Sequence, residues 1–161
     1  VTGTLDLVSV TSADLLLSLL APRGWEVRAL DEFNLGLFSD VDDDGHRANI
    51  TFTMGEPEEP GTAWFERFGR AAAGQLAATL DGYEELGREE FRLSSRARVV
   101  AVTYRQHAEG ADPTSHLQAY VWADSYRMYV VNGATRRETE ERDLPLFEAV
   151  LRSIRVLPPR T

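Results

Sequence analysis

Cysteine is absent from this chain of 161 residues, and so is lysine. Without a thiol there is no disulfide framework, no zinc–thiolate or iron–sulfur centre and no cysteine nucleophile. Without lysine there is no Schiff-base chemistry and no phosphate-cradling P-loop lysine; all 17 basic residues are arginine. Histidine is scarce. His46, His107 and His116 are scattered, with none of the H-x-x-x-H or H-x-x-E-H spacings that gather ligands around a metal. A G-x-S-x-G nucleophile elbow and a G-x-G-x-x-G turn after a strand are missing too. The sequence therefore points to no catalytic residue, no metal and no cofactor. A chain of this length buries ~70% of the surface it exposes when unfolded, so its core needs no covalent or metal staple.

Long apolar runs are also lacking. The strongest, Leu15 to Ala21 (LLLSLLA), is far too short to cross a bilayer. No basic region precedes it, and Pro22-Arg23-Gly24 follows it where a cleavage site would place small residues. Neither a signal peptide nor membrane insertion is expected. Positive charge is in deficit, with 26 acidic residues and a net charge of −9. No basic stripe is present to neutralise phosphates, so nucleic acid is not an expected partner, and anionic membrane is disfavoured on the same ground. Acidity of this kind keeps a cytoplasmic protein soluble. The replacement of lysine by arginine, with many alanines and glycines, points to a GC-rich bacterial genome.

What is present reads as strands, helix, strands, helix. Residues 1–14 are weakly patterned and read as an arm or an edge strand. Residues 15–157 read as one domain, and 158–161 as a tail. Leu15 to Ala21 has strand character and ends at Pro22-Arg23-Gly24. Phe33, Leu35, Leu37 and Ser39 alternate, as do Ile50, Phe52 and Met54 against Thr51 and Thr53; together they predict a hairpin with an acidic tip. Thr62 is placed to cap a helix from about Ala63 to Leu80, with Phe65, Phe68, Ala72, Leu76 and Leu80 on one face. Extended segments follow at Tyr83–Leu93, Arg98–Gln106, Ser115–Ala123 and Tyr126–Asn132. The first half of RVVAVTYRQ is apolar on both alternating faces, which places it inside a sheet covered on both sides. Asp143 is placed to cap a second helix with Pro145 in its first turn and Leu144, Phe147, Val150, Leu151 and Ile154 as its apolar stripe. Short strand connections favour antiparallel pairing, so the expected class is α+β.

Two stretches carry candidate chemistry. Asp40, Asp42, Asp44 and Gly45 match the first half of a calcium-binding loop. The bidentate twelfth ligand is missing, since Thr51 stands there, and Arg47 stands at the normally apolar eighth position. An acidic hairpin tip is therefore expected rather than a calcium site. The second stretch, His116 to Thr135, holds Tyr120, Trp122, Tyr126 and Tyr129. If Asp124-Ser125 divides two paired strands, Val121 faces Met128 and Ala119 faces Val130 on an aliphatic core face. Tyr120 then faces Tyr129, and Trp122 faces Arg127 as a cation–π pair, on the other face with His116. These five, His116, Tyr120, Trp122, Arg127 and Tyr129, are the candidate binding residues. A helix covering that face would make them core; an open face would make them an interface.

LLAPRGWEV resembles the P-x-G-W turn near the start of PsbP-like and DcrB-like domains. RDLPLFEAVLRSIRVLPP resembles their closing helix, in which Phe147, Val150, Leu151, Ser153 and Ile154 match the pattern. The resemblance spans most of residues 15–157. It implies an α/β/α sandwich with a central antiparallel sheet and two main helices. It also implies a largely non-enzymatic superfamily of photosystem accessory proteins, a Ran-binding relative, lipoproteins of the LpqN kind and chaperones for apolar segments of effectors. The chain carries no lipobox cysteine. Two functions stay open: a cytoplasmic protein-binding adaptor or chaperone-like domain, with a homodimer as a further possible assembly, or a binder of an apolar metabolite or lipid in a pocket between sheet and helix.

Overall fold

The computed structural model describes residues 5–159. Within them the strands are β1 (Leu7–Ser12), β2 (Leu17–Pro22), β3 (Glu26–Asp31), β4 (Asn34–Phe38), β5 (Asn49–Gly55), β6 (Tyr83–Arg92), β7 (Arg98–Gln106), β8 (Thr114–Asp124), β9 (Arg127–Arg136) and β10 (Arg155–Val156). The helices are α1 (Thr62–Thr79), between β5 and β6, and α2 (Glu140–Arg152), between β9 and β10. Seven strands form one antiparallel sheet in the order β3-β4-β5-β9-β8-β7-β6. A second, three-stranded sheet has the order β1-β2-β10.

The large sheet is coated differently on its two faces. On one, Ile50, Phe52, Val99, Leu117, Ala119, Val121 and Val131 meet Phe147, Val150 and Leu151 of α2 and Leu17, Leu19 and Ala21 of β2 in a single apolar core. Phe147 lies so close to β9 that a methyl group on Gly133 would sit 2.5 Å from its ring. Only glycine allows α2 this approach. On the other face α1 lies over β6, β7 and β8. Its Phe65 packs on Val100 and Tyr120, and its Ala73 on Val102 and Tyr104. The result is an α+β sandwich with a helix on each side of an antiparallel sheet.

β7 shows why a strand can be apolar on both alternating faces: Val99 and Ala101 enter the α2 core while Val100 and Val102 meet α1. It lies next to the edge strand β6 rather than at the centre. Phe65, Phe147 and Leu151 are buried as their helical spacing requires, whereas Phe68 and Leu76 are half-buried at the border of α1.

Several local expectations are corrected. α1 begins at Thr62, with Gly61 at the cap position and no side-chain cap. α2 begins at Glu140 after a short 3₁₀ turn, so Asp143 sits in its first turn rather than capping it. There Asp143 is buried and accepts hydrogen bonds from Thr135 Oγ1 at 2.6 Å and from Arg142. Burial alone would raise its pKa; the Arg142 and Thr135 bonds outweigh that and hold the carboxyl below its usual range. The N-terminal stretch, read as an arm or an edge strand, needs no such correction: its residues 7–12 pair along β2 as the outer strand of the small sheet, while residues 1–4, and 160–161 of the tail, lie outside the described residues. Neither β3 nor β10 is announced by an apolar pattern: β3 is exposed throughout and β10 is two residues long.

Candidate functional site

The strand register decides which side chains share a face. Asp124 pairs with Arg127, so the turn residues are Ser125 and Tyr126, and the Asp124 carboxylate accepts the Tyr126 amide at 2.8 Å. Ala123 is then left over as a bulge, and from there inward Trp122 faces Met128, Val121 faces Tyr129 and Tyr120 faces Val130. One extra residue on β8 moves every β9 side chain to the opposite face relative to the expected pairing.

The five candidate residues consequently fall on two faces. Tyr129 is in the α2 core, 0% exposed, and its hydroxyl donates to the Leu15 carbonyl. Arg127 lies beside it, bonded to Asp124 at 3.1 Å and reaching the Leu16 carbonyl, not over Trp122. His116, Tyr120 and Trp122 lie on the α1 face. Tyr120 is buried there, with its ring edge-on to Phe68 at 5.3 Å, while Phe68 stacks on Trp64 at 5.0 Å. The Trp122 indole N–H is buried without a partner among the described residues. His116 stacks on Tyr104 at 4.9 Å and shares a hydrogen bond with Thr114 at 2.7 Å; burial lowers its pKa. A helix thus covers part of the predicted aromatic face.

α1 reaches this face as far as Tyr120 and Val130, and beyond them the side chains of β9, β5 and β4 on this face are mostly half-buried. Over β4, β5, β9 and β8 the register builds three parallel rows. The first is Asn34, Thr53, Val130 and Tyr120. The second is Gly36, Thr51, Asn132 and Gln118. The third is Phe38, Asn49, Ala134 and His116. None of these twelve positions carries a carboxylate or a guanidinium, in a chain that is 27% charged. Their hydroxyls and amides are half-buried: Thr53 donates to Asn34 at 2.7 Å and the Gln118 amide donates to the Tyr120 hydroxyl. Four strands spaced by about 4.8 Å make a floor ~14 Å wide. Its helical border is Tyr104 and Tyr120. Its outer border is Phe38, whose ring lies over Gly36, where a methyl group would meet it at 2.6 Å. The guanidiniums of Arg28 and Arg47 stack on that ring at 5.0 and 5.2 Å.

Sequence reasoning reached His116 and Tyr120 but missed Thr51, Thr53, Asn132 and Asn34. The available signal was the run of neutral polar residues on alternating positions of exposed-looking strands, where charges are the usual choice.

Charged residues gather elsewhere, in arrangements that fasten the fold. Glu140 is held by Arg105 and accepts from Ser115 at 2.5 Å, tying α2 to β7 and β8; the Arg105 bond keeps its carboxyl below the usual range. At the acidic tip, the Arg136 guanidinium sits between Asp42 and Asp44 at 3.0 and 2.6 Å, where a bound cation would stand. His46 reaches Thr135 and the Arg136 amide. Between α1 and β6–β7 lies a cleft of about 180 Å³, bordered by Phe65 and Val100 but also by Glu66, Glu90 and Arg98. It is smaller and more charged than the ~300–1,000 Å³ apolar cavities that hold small ligands. Among the described residues no helix is long and apolar enough to cross a membrane.

No protein-family model matches the chain, and no curated protein matches it in sequence. Solved structures do match in shape. LpqN of Mycobacterium tuberculosis, involved in cell envelope biogenesis, superposes with a TM-score of 0.70 at 12% identity, over 97% of this chain and 93% of that one. The cyanobacterial PsbP of Synechocystis superposes at 0.64 and 12% identity, over 96% and 95%. The Ran-binding protein Mog1p of Saccharomyces cerevisiae superposes at 0.59 and 11% identity, over 96% and 97%. Agreement along nearly the whole length of each partner, at identities too low to carry a function, establishes the architecture: the chain has the PsbP-like fold.

Proposed function

We propose that this protein is a non-catalytic, cytoplasmic adaptor or chaperone-like domain, and that its protein partner seats on the uncharged half of the α1 face. The observation that carries the reading is the twelve-position floor without a single charge, bordered by Phe38 on one side and Tyr104 and Tyr120 on the other. Protein interfaces are marked by depletion of charge at their centre and enrichment in aromatics and arginine, and Arg28 and Arg47 stacked on Phe38 supply the arginine. A flat floor suits a macromolecule better than a small molecule, which needs a concave site. The reading is also in keeping with Mog1p, a Ran-binding protein that shares the fold. Of the five residues singled out in the sequence, His116, Tyr120 and Trp122 remain at the helical margin of this surface.

A photo-crosslinking amino acid introduced at Thr51 or Asn132, in the native host, tests the proposal. One defined protein adduct is expected from these positions and none from Glu84 on the opposite edge. Adducts of equal yield from all three positions, or from Glu84 alone, would reject the surface.

A further inference from the structure

The two edges of the large sheet are guarded unequally. β6 presents Glu84, Glu85, Arg88, Glu89, Glu90 and Arg92 and is bulged between Glu85 and Gly87. Charges and bulges of this kind keep an edge from pairing with another chain. β3, the other edge, is exposed at all six positions; it too carries charges, at Glu26, Arg28 and Asp31, and a bulge between Ala29 and Asp31, but from Glu26 to Ala29 its register is unbroken and its charges alternate in sign around Val27, which is 42% exposed. Among the described residues no strand pairs with its outer edge.

From this we infer that β3 pairs with β3 of a second copy, antiparallel and centred on Val27. A twofold axis between antiparallel edge strands stands perpendicular to the sheet, so each face continues into the same face of the partner copy. Residues opposite one another must then share a face. On β3, Val27 and Ala29 pair with Leu37 and Leu35 and so belong to the α2 face, where Trp25 also packs on the core. Glu26 and Arg28 belong to the other face. Parity therefore permits only registers centred on a residue. Centring on Arg28 would set Arg28 against its own copy, and centring on Glu26 would set Glu26 against its own copy. Centring on Val27 sets Glu26 against Arg28 twice, Val27 against Val27, and Trp25 against Ala29 twice. One face of the junction is then wholly apolar and the other holds two ion pairs. Within one copy Glu26 bonds Arg28 at 2.8 Å through one carboxylate oxygen and Arg47 at 2.6 Å through the other, so the second copy's Arg28 would share these bonds across the axis. The inference shares Arg28 with the surface proposed above but is argued from the β3 edge alone; in the dimer the two uncharged floors would lie on the same side of one continuous sheet.

Sedimentation equilibrium of the full chain tests it, with thermal unfolding as a control for folding. Wild type is expected to show a concentration-dependent dimer. Glu26→Arg sets arginine against arginine across the axis and is expected to weaken the dimer by about tenfold or more. Adding Arg28→Glu exchanges the charges and is expected to restore it. Because the chain has no cysteine, Val27→Cys introduces the only thiol and places it opposite its own copy. Mild oxidation should give a covalent dimer, whereas Leu30→Cys, about 20 Å from its copy in this register, should give none. A wild-type protein that stays monomeric at every concentration would overturn the inference. So would a folded Glu26→Arg variant that dimerises as well as wild type, or crosslinking at Leu30→Cys without crosslinking at Val27→Cys.

Discussion

The two faces of one sheet, built from the same strands, are made of different material. The α2 face is sealed by a helix and a second sheet and is lined by aliphatic side chains with Phe52, Tyr129 and Phe147 fully buried among them. The α1 face is aromatic under its helix and neutral polar beyond it. The difference teaches where each requirement falls. Burial of apolar area stabilises the chain, and the α2 face supplies most of it. Half-buried threonine, asparagine and glutamine side chains contribute little to stability, so their grouping on one surface calls for another explanation.

That contrast can be broken in several ways. The largest effect is expected at the α2 face. Phe147→Ala leaves a cavity above Gly133 and should cost ~3–5 kcal/mol in urea unfolding. Phe68→Ala, on the half-buried margin of α1, should cost clearly less; the reverse order would undo the distinction between the faces. A smaller effect is expected for Tyr129→Phe, which leaves the Leu15 carbonyl without its donor. It should lose about 1–1.5 kcal/mol with partner binding unchanged. Loss of binding without loss of stability would return Tyr129 to the interface.

The two faces should also titrate in different windows. Burial depresses the His116 pKa. As pH falls below the ordinary histidine value of about 6.5, the unfolded chain takes up a proton that the folded chain refuses, so stability declines until the depressed folded value is passed. His116→Gln should flatten that slope. Asp143, held low by Arg142 and Thr135, contributes stability that is complete above the ordinary aspartate range and is lost only as pH falls through its depressed folded value. Stability curves that show no slope assignable to His116 between neutral pH and pH 5 would mean that its ring is solvated. The smallest effect is expected on the floor itself, where Thr51→Ala should change stability by no more than ~0.5 kcal/mol.

Much of the covered face is legible in the sequence because burial leaves a period. Phe147, Val150 and Leu151 step along a helix, Ile50 and Phe52 alternate along a strand, and the doubly apolar start of β7 reports cover on both sides. The open face is harder to read. Its rows run across four strands, so they exist only once three registers are fixed, and one of these turns on the single bulged residue Ala123. Nothing in VWADSYRM marks that bulge. The misplaced cap at Asp143 has a similar cause: its carboxylate serves Thr135 on β9, a tertiary partner, rather than the local amides that a capping pattern assumes. β3 escapes notice because an exposed strand has no apolar face to announce it, and that same exposure is what leaves it available for pairing.

The most direct test of the central claim places a charge in the middle of the floor. Asn132→Arg puts a guanidinium between Thr51 and Gln118 at a position where nothing in the fold requires asparagine. Unfolding free energy and the yield of the Thr51 photo-adduct would be measured on the same preparation. The account predicts stability within ~1 kcal/mol of wild type together with loss of the adduct. A folded Asn132→Arg protein that captures its partner as well as wild type would contradict it.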